Sequence, residues 1–289
     1  MLAVLGLAVV ILVVVWSQRK KTARSEVNRL IRQGGLPADP DLAEAAIGWF
    51  QRRVGVLSIG YLLGILVGGV VLLFSGQAFQ FGPDSEGGSG LGPIVWAFAA
   101  ASFIGGGATL LDAYRAVRRS KVDGPRTATL RPRRLGDYLT PVETAIHYGV
   151  VAIPLVCIGL GVGVLSSDNR PARGWLLVAS GSVAVLLWGA GIALERMALR
   201  VSQSSGRPAQ LLWQEAYRAA TLRDLGTAII TVSWLLGASV PSSFDWRGHP
   251  MYFWDVAFGV FLVSMVLMLV NSWIPMTPWA LRRVRRVVG

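Results

Sequence analysis

The stretch Trp175–Leu194 reads WLLVASGSVAVLLWGAGIAL, 20 residues without a single charge, and Arg173, Glu195 and Arg196 close it off at either end. An α-helix rises 1.5 Å per residue, so this run is about 30 Å long, the thickness of the hydrocarbon core of a bilayer. Working outward from it, six further apolar runs of comparable type appear: 1–16, 54–74, 93–111, 148–165, 225–240 and 252–270. The first and sixth are short, the sixth carries Thr227, Thr231 and Ser233, and the last has Asp255 at its outer edge. Composition agrees, since 53% hydrophobic and 15% charged residues do not make a water-soluble surface. The expected fold is all-α, a polytopic transmembrane helical bundle of seven spans.

Orientation follows from the basic residues. Lys and Arg in short loops stay on the cytoplasmic side. The connections 17–53 and 112–147 hold 8 each, 195–224 holds 5 and the tail after Val270 holds 4, while the remaining connections hold only Arg170, Arg173 and Arg247. Seven spans place every basic-rich segment on one side, with the N-terminus out and the C-terminus in. The first run has its charges after it, at Arg19, Lys20 and Lys21, as in a reverse-oriented anchor rather than a cleaved signal. Aromatic residues at span ends fit headgroup boundaries: Trp16, Trp49, Phe50 and Trp273 inside, Trp96, Trp175, Tyr252 and Trp254 outside.

The basic connections 17–53, 112–147 and 195–224 read as cytoplasmic linkers with helix starts of their own. Asp39-Pro40-Asp41 is an N-cap, a proline at the first helical position and an acidic first turn. Thr140-Pro141-Val142-Glu143 is a capping box, so the fourth helix should begin before its apolar part. Gly124–Leu139, interrupted by Pro125, Pro132 and Gly136, should not be a continuous helix. The connection from Gly76 to Gly92, glycine-rich and acidic, should be mobile.

Gly60, Gly64 and Gly68 share one face of the second span and predict close helix packing, within the bundle rather than between copies. Gly105-Gly106-Gly107 and Gly159-x-Gly161-x-Gly163 lack the Lys-Ser/Thr of a phosphate loop and read as packing sites. Glu143 and His147 stand one turn apart, but a cap and an interfacial imidazole account for both. Cys157 has no partner cysteine and reads as packing. Between their ends the seven runs contain no Asp, Glu, Lys, Arg or His, which argues against a proton- or cation-coupled pump; Asp112, Glu195, Asp224 and Asp255 look like boundary residues. The histidines and lysines needed for haem, retinal, serine-protease or zinc-protease chemistry within the spans are missing, so no enzyme and no cofactor is expected.

The formal charge of +12 does not imply nucleic acid, because the basic residues lie between apolar blocks. Arg115, Arg118, Arg119, Arg131, Arg133 and Arg134 are expected to meet anionic lipid headgroups at the cytoplasmic face, each attracted by about 1 kcal/mol. The arginine-rich, lysine-poor usage points to a high-GC bacterial source. The stretches Gly34-Gly35-Leu36-Pro37-Ala38-Asp39-Pro40 and Leu130-x-x-Arg133-Arg134-Leu135-x-Asp137-Tyr138 resemble the uncharacterised polytopic membrane proteins of high-GC Gram-positive bacteria, a likeness that covers the linkers better than the spans. It implies a multi-pass protein of the plasma membrane and no particular activity. The functional expectation is a non-catalytic regulatory or scaffolding membrane component with a protein partner. The alternative is a transporter or permease subunit for an uncharged or amphiphilic solute, with Thr227, Thr231 and Ser233 lining a polar path.

Overall fold

The computed structural model describes residues 2–74, 92–119, 126–127, 133–167, 171–200, 203–204 and 208–242, together with 256, 259, 262 and 263. Most of the described chain is helical: α1 (Leu2–Gly34), α2 (Pro40–Phe74), α3 (Gly92–Arg119), a 3-10 turn at Leu135–Asp137, α4 (Pro141–Gly149), α5 (Ala152–Ser167), α6 (Pro171–Arg200) and α7 (Pro208–Ser242). A two-residue antiparallel bridge, Arg126–Thr127 against Gln203–Ser204, ties together the connections that follow α3 and α6.

Among the described residues, four segments are long and apolar enough to cross a membrane: Pro40–Val67, Pro141–Ser166, Gly174–Arg200 and Ala209–Ala238. They contain most of the runs expected at 54–74, 148–165, 175–194 and 225–240. The runs 1–16 and 93–111 fall within α1 and α3, whereas 252–270 lies outside the described residues except for four positions. So does the connection expected to be mobile, apart from Gly92, which opens α3. Large apolar side chains face outward along the candidate spans, with Leu186 72%, Trp175 62% and Leu155 53% exposed. Water would penalise such a surface and lipid would not.

Both local start signals act as expected. Asp39 Oδ1 accepts from the Asp41 N–H at 3.0 Å at the start of α2. At α4, Thr140 Oγ1 accepts from the Glu143 N–H at 3.1 Å, and Glu143 Oε2 accepts from the Thr140 N–H at 2.8 Å. The helix then breaks at Val150–Val151. Pro154 accounts for this, since it brings no N–H and its ring crowds the carbonyl four residues earlier, that of Val150.

The described parts of the basic connections are largely helical, and for α2 this is the helix expected to open at Pro40 and run into the second span. α1 runs on past Trp16 to Gly34 and closes at Gly35, whose φ of 59° favours glycine. α2 and α7 begin well before their apolar parts. These extensions build a core of their own: Ala23, Val27 and Leu30 of α1 meet Ala46 and Phe50 of α2 and Trp213 and Ala216 of α7. Positions 23, 27 and 30 lie one helical turn apart on one stripe, while Lys20, Lys21, Arg24 and Arg32 lie exposed elsewhere on the same helix. Phe50, expected at the headgroup boundary, is buried here instead, with the Trp49 ring packed edge-on at 4.8 Å.

A second core joins Ile146, Ile153, Cys157 and Leu160 of α4 and α5 to Leu177 of α6 and Leu236 of α7. Small residues bring the helices together. A Cβ on Gly64 would lie 2.3 Å from Ala101 Cα, and one on Gly60 would lie 2.8 Å from Ala108 Cβ, so these glycines face α3. Gly68 lies outside the positions whose surroundings are described. Gly161 and Gly174 make the equivalent close approach between α5 and α6.

Candidate functional site

The polar chemistry of the described residues gathers where α7 passes the extensions of α1, α2 and α4. Glu215, on the buried face of α7, holds three partners: Tyr138 donates its hydroxyl to Oε2 at 2.6 Å, while Arg218 Nη1 and Arg133 Nη2 lie 2.7 and 3.0 Å from Oε1. Burial, reinforced by the Glu215 charge, pushes the Tyr138 phenol well above its ordinary range and keeps it a donor. Two residues earlier, Trp213 Nε1 donates to the Pro37 carbonyl at 3.2 Å. Both stretches singled out in the linkers, around Pro37 and around Arg133–Tyr138, are thus docked onto one turn of α7.

Beside this network lies a cavity of about 210 Å³, walled by α1, α2, the Tyr138–Thr140 turn, α4 and α7. Leu30, Phe50, Val54, Leu57 and Leu139 supply apolar walls, and Glu26, Arg53, Glu143, Arg223 and Asp224 supply charge. Arg53 pairs with Asp224 and donates to the Ala220 carbonyl at 3.2 Å. Arg223 Nη2 stands 3.5 Å from Glu143 Oε1. On the far side of the Arg53–Asp224 pair a smaller void of about 20 Å³ reaches Asp112, Thr109 and Thr221, room for a single water.

A third constellation is deeper. His147 Nε2 lies 3.0 Å from Glu195 Oε1, and both side chains are almost fully buried. The ring N–H is not aimed along this line, so neither atom is hydrogen bonded, and Thr144 Oγ1, one turn before His147, is buried without a partner as well. The imidazole backs onto α7, where a Cβ on Gly226 would meet Nδ1 at 3.3 Å. His147 therefore pairs across helices with Glu195 rather than with Glu143, which is engaged in the cap. Glu195, taken from sequence as a boundary residue, points into the bundle. Replacing His147 by Leu leaves the Glu195 carboxyl facing an apolar side chain and should cost about 1–3 kcal/mol, the scale of an unsatisfied buried polar group, whereas Leu at both positions should recover most of it. Melting of the detergent-solubilised variants checks this, and a double variant no better than the single would contradict it.

The sequence-selected residues do not all converge. Arg115 and Arg134 are exposed, Arg133 turns inward to Glu215, and the side chains of Arg118, Arg119 and Arg131 lie outside the described set. Thr227 is exposed, Thr231 half-buried and Ser233 buried. At about 100° per residue, Ser233 points nearly opposite to Thr231, so the three do not line a common path. Among the described residues no three His, Cys, Asp or Glu side chains are grouped to hold a metal ion. No protein-family model matches the chain, and comparison with curated proteins and with solved structures yields no match.

Proposed function

We propose that this chain is a seven-span plasma-membrane protein, N-terminus out and C-terminus in, that acts as a non-catalytic regulatory or scaffolding component. Its cytoplasmic face meets anionic headgroups and a protein partner. One observation carries the reading: among the described residues of the basic connections, helical extensions of α1, α2 and α7 pack on one another into a platform, and those of α2 and α7 run on into candidate spans. On that platform Lys20, Lys21, Arg24, Arg32, Arg52, Arg115 and Arg134 are exposed, while Glu215 is buried and Glu143 and Asp224 are largely covered. The exposed cations outnumber the exposed carboxylates on it, Asp41 and Glu44, and give a face that attracts anionic surfaces.

Two measurements test this. A reporter fused after Gly289 should be active only in the cytoplasm. Native mass spectrometry from mild detergent should find anionic phospholipid or a stoichiometric protein bound, and combined Arg24→Glu, Arg32→Glu and Arg52→Glu should strip it away. A reporter active only outside would reverse the orientation, and a chain carrying neither lipid nor protein would remove the functional reading.

A further inference from the structure

We infer that His147 and Glu195 form a proton-binding site inside the helical bundle, at the break between α4 and α5, and that one proton held between them fastens α4 to α6. This goes beyond the platform reading and requires neither the orientation nor a partner. Each residue stands just outside an apolar run, 148–165 or 175–194, and both belong to candidate spans. Their side chains are only 1% and 3% exposed. Ionisable groups buried in a membrane bundle are expensive, and they mark the paths and sites of ions and protons.

Counting charge identifies the ligand. A neutral imidazole beside a carboxylate carries a net charge of about −1, and among the described residues no other cation pairs with Glu195. A lone charge so deeply buried is costly, and one added proton brings the pair to neutrality. A second would leave a net positive charge in the same place. The two facing atoms are 3.0 Å apart, yet the ring N–H is not aimed along this line and both lie buried without a hydrogen bond. With the proton present, a turn of the ring completes a charge-assisted bond; without it, the carboxylate keeps its full buried charge.

The pair is tied to the helix break. Trp188 lies two turns before Glu195 on the same face of α6 and donates its indole N–H to the His147 carbonyl at 3.2 Å. That carbonyl is among those left over where α4 ends at Gly149. α6 therefore grips His147 at carbonyl and ring, and loss of the proton loosens the second grip. Neighbouring charges are engaged elsewhere. Glu143 of α4 serves its cap and faces Arg223 of α7, Asp224 of α7 pairs with Arg53, and Asp112 of α3 borders the void beside that pair. Asp137 of the preceding turn accepts from the Arg134 N–H, and Arg196 of α6 is exposed. The Tyr148 ring stands edge-on to the imidazole at 5.4 Å, and Cys157 of α5 is buried in the core.

The sign of the pH dependence follows from the proton count. Above the ordinary values of about 6.5 for His and about 4.3 for Glu, the unfolded chain binds no proton on these groups while the folded pair holds one, so stability falls as pH rises. The contribution is complete below the ordinary His value and is lost with rising pH until the folded pair releases its proton. Glu195→Gln copies the neutral carboxyl and has no proton to lose. In dodecyl maltoside, the full-length wild type should therefore melt lower relative to Glu195→Gln by about 2–4 °C for each pH unit between about pH 7 and about pH 9. Parallel melting curves would overturn the assignment. Where Glu195→Gln does not fold, His249→Gln leaves His147 as the one histidine of the chain for nitrogen NMR in nanodiscs. Its ring nitrogens should shift in a single step with pH, and nitrogens unchanged from about pH 6 to about pH 9 would equally overturn it.

Discussion

Glu215→Ala is expected to destabilise the folded protein by about 3–5 kcal/mol, the scale of breaking one side of a buried ion pair. The carboxylate serves Tyr138, Arg133 and Arg218 together. Its loss leaves two guanidinium groups facing each other, Arg218 8% and Arg133 15% exposed, without the charge that brought them in. Glu215→Gln keeps the volume and one acceptor oxygen, so it should fall between wild type and Ala. Glu44→Ala, on the exposed side of α2, is the control and should stay within about 0.5 kcal/mol. Because Tyr138 and Arg133 anchor the irregular segment before α4, proteolysis at residues 133–140 should accelerate along with the fall in melting temperature. Melting of Glu215→Ala together with Glu44→Ala would show that the network contributes nothing.

The four candidate spans and the helix starts were legible because each depends on neighbours in the chain. An apolar run is its own signal, and the Asp39 and Thr140 caps act over three residues. The buried ionic groups were not legible by the same means. Counting uncharged runs makes any charge at the end of a run look like a boundary, which is how Glu195 and Asp224 were read. Helical phase carries the missing information. On α6, Ile192, Glu195 and Ala198 are all buried at three-residue spacing, so Glu195 sits on an inward stripe. On α7, Glu215 and Arg218 continue the seam of Leu222, Leu225 and Ile229 at alternating intervals of three and four. A charged residue on an apolar stripe announces a buried partner, but only the fold names it. His147 lies far from Glu195 in sequence, and the capping-box glutamate beside it offered a nearer and wrong match. The platform was missed for a related reason, since hydropathy averages over the basic and apolar faces of α1 and sees only a polar segment.

Gly64→Leu should prevent correct assembly of the bundle and yield aggregated or degraded protein. Even a Cβ at this position would lie 2.3 Å from Ala101 Cα, 2.9 Å from Ala101 O and 3.0 Å from Ala101 C. All three are backbone atoms, and no side-chain rotation can make room for it. Ordinary carbon contact is about 3.5–4.0 Å, so α2 and α3 must separate by more than an ångström. That shift would also pull Gly60 away from Ala108 and Gly105, opening the whole crossing. Gly64→Ala should already lower stability by the roughly 1–3 kcal/mol of an overpacked contact. Gly48→Ala gives the opposite expectation, since nothing lies within 4 Å of its Cβ. There alanine should gain about 1 kcal/mol of helix propensity. The comparison also separates the two uses of the glycine face. If Gly60 and Gly64 joined two copies of the chain, Gly64→Leu would give a folded monomer with an unchanged melting temperature. With Ala101 of the same chain pressed against Gly64, folding and packing should fail together, and a well-folded Gly64→Leu protein would refute the α2–α3 contact.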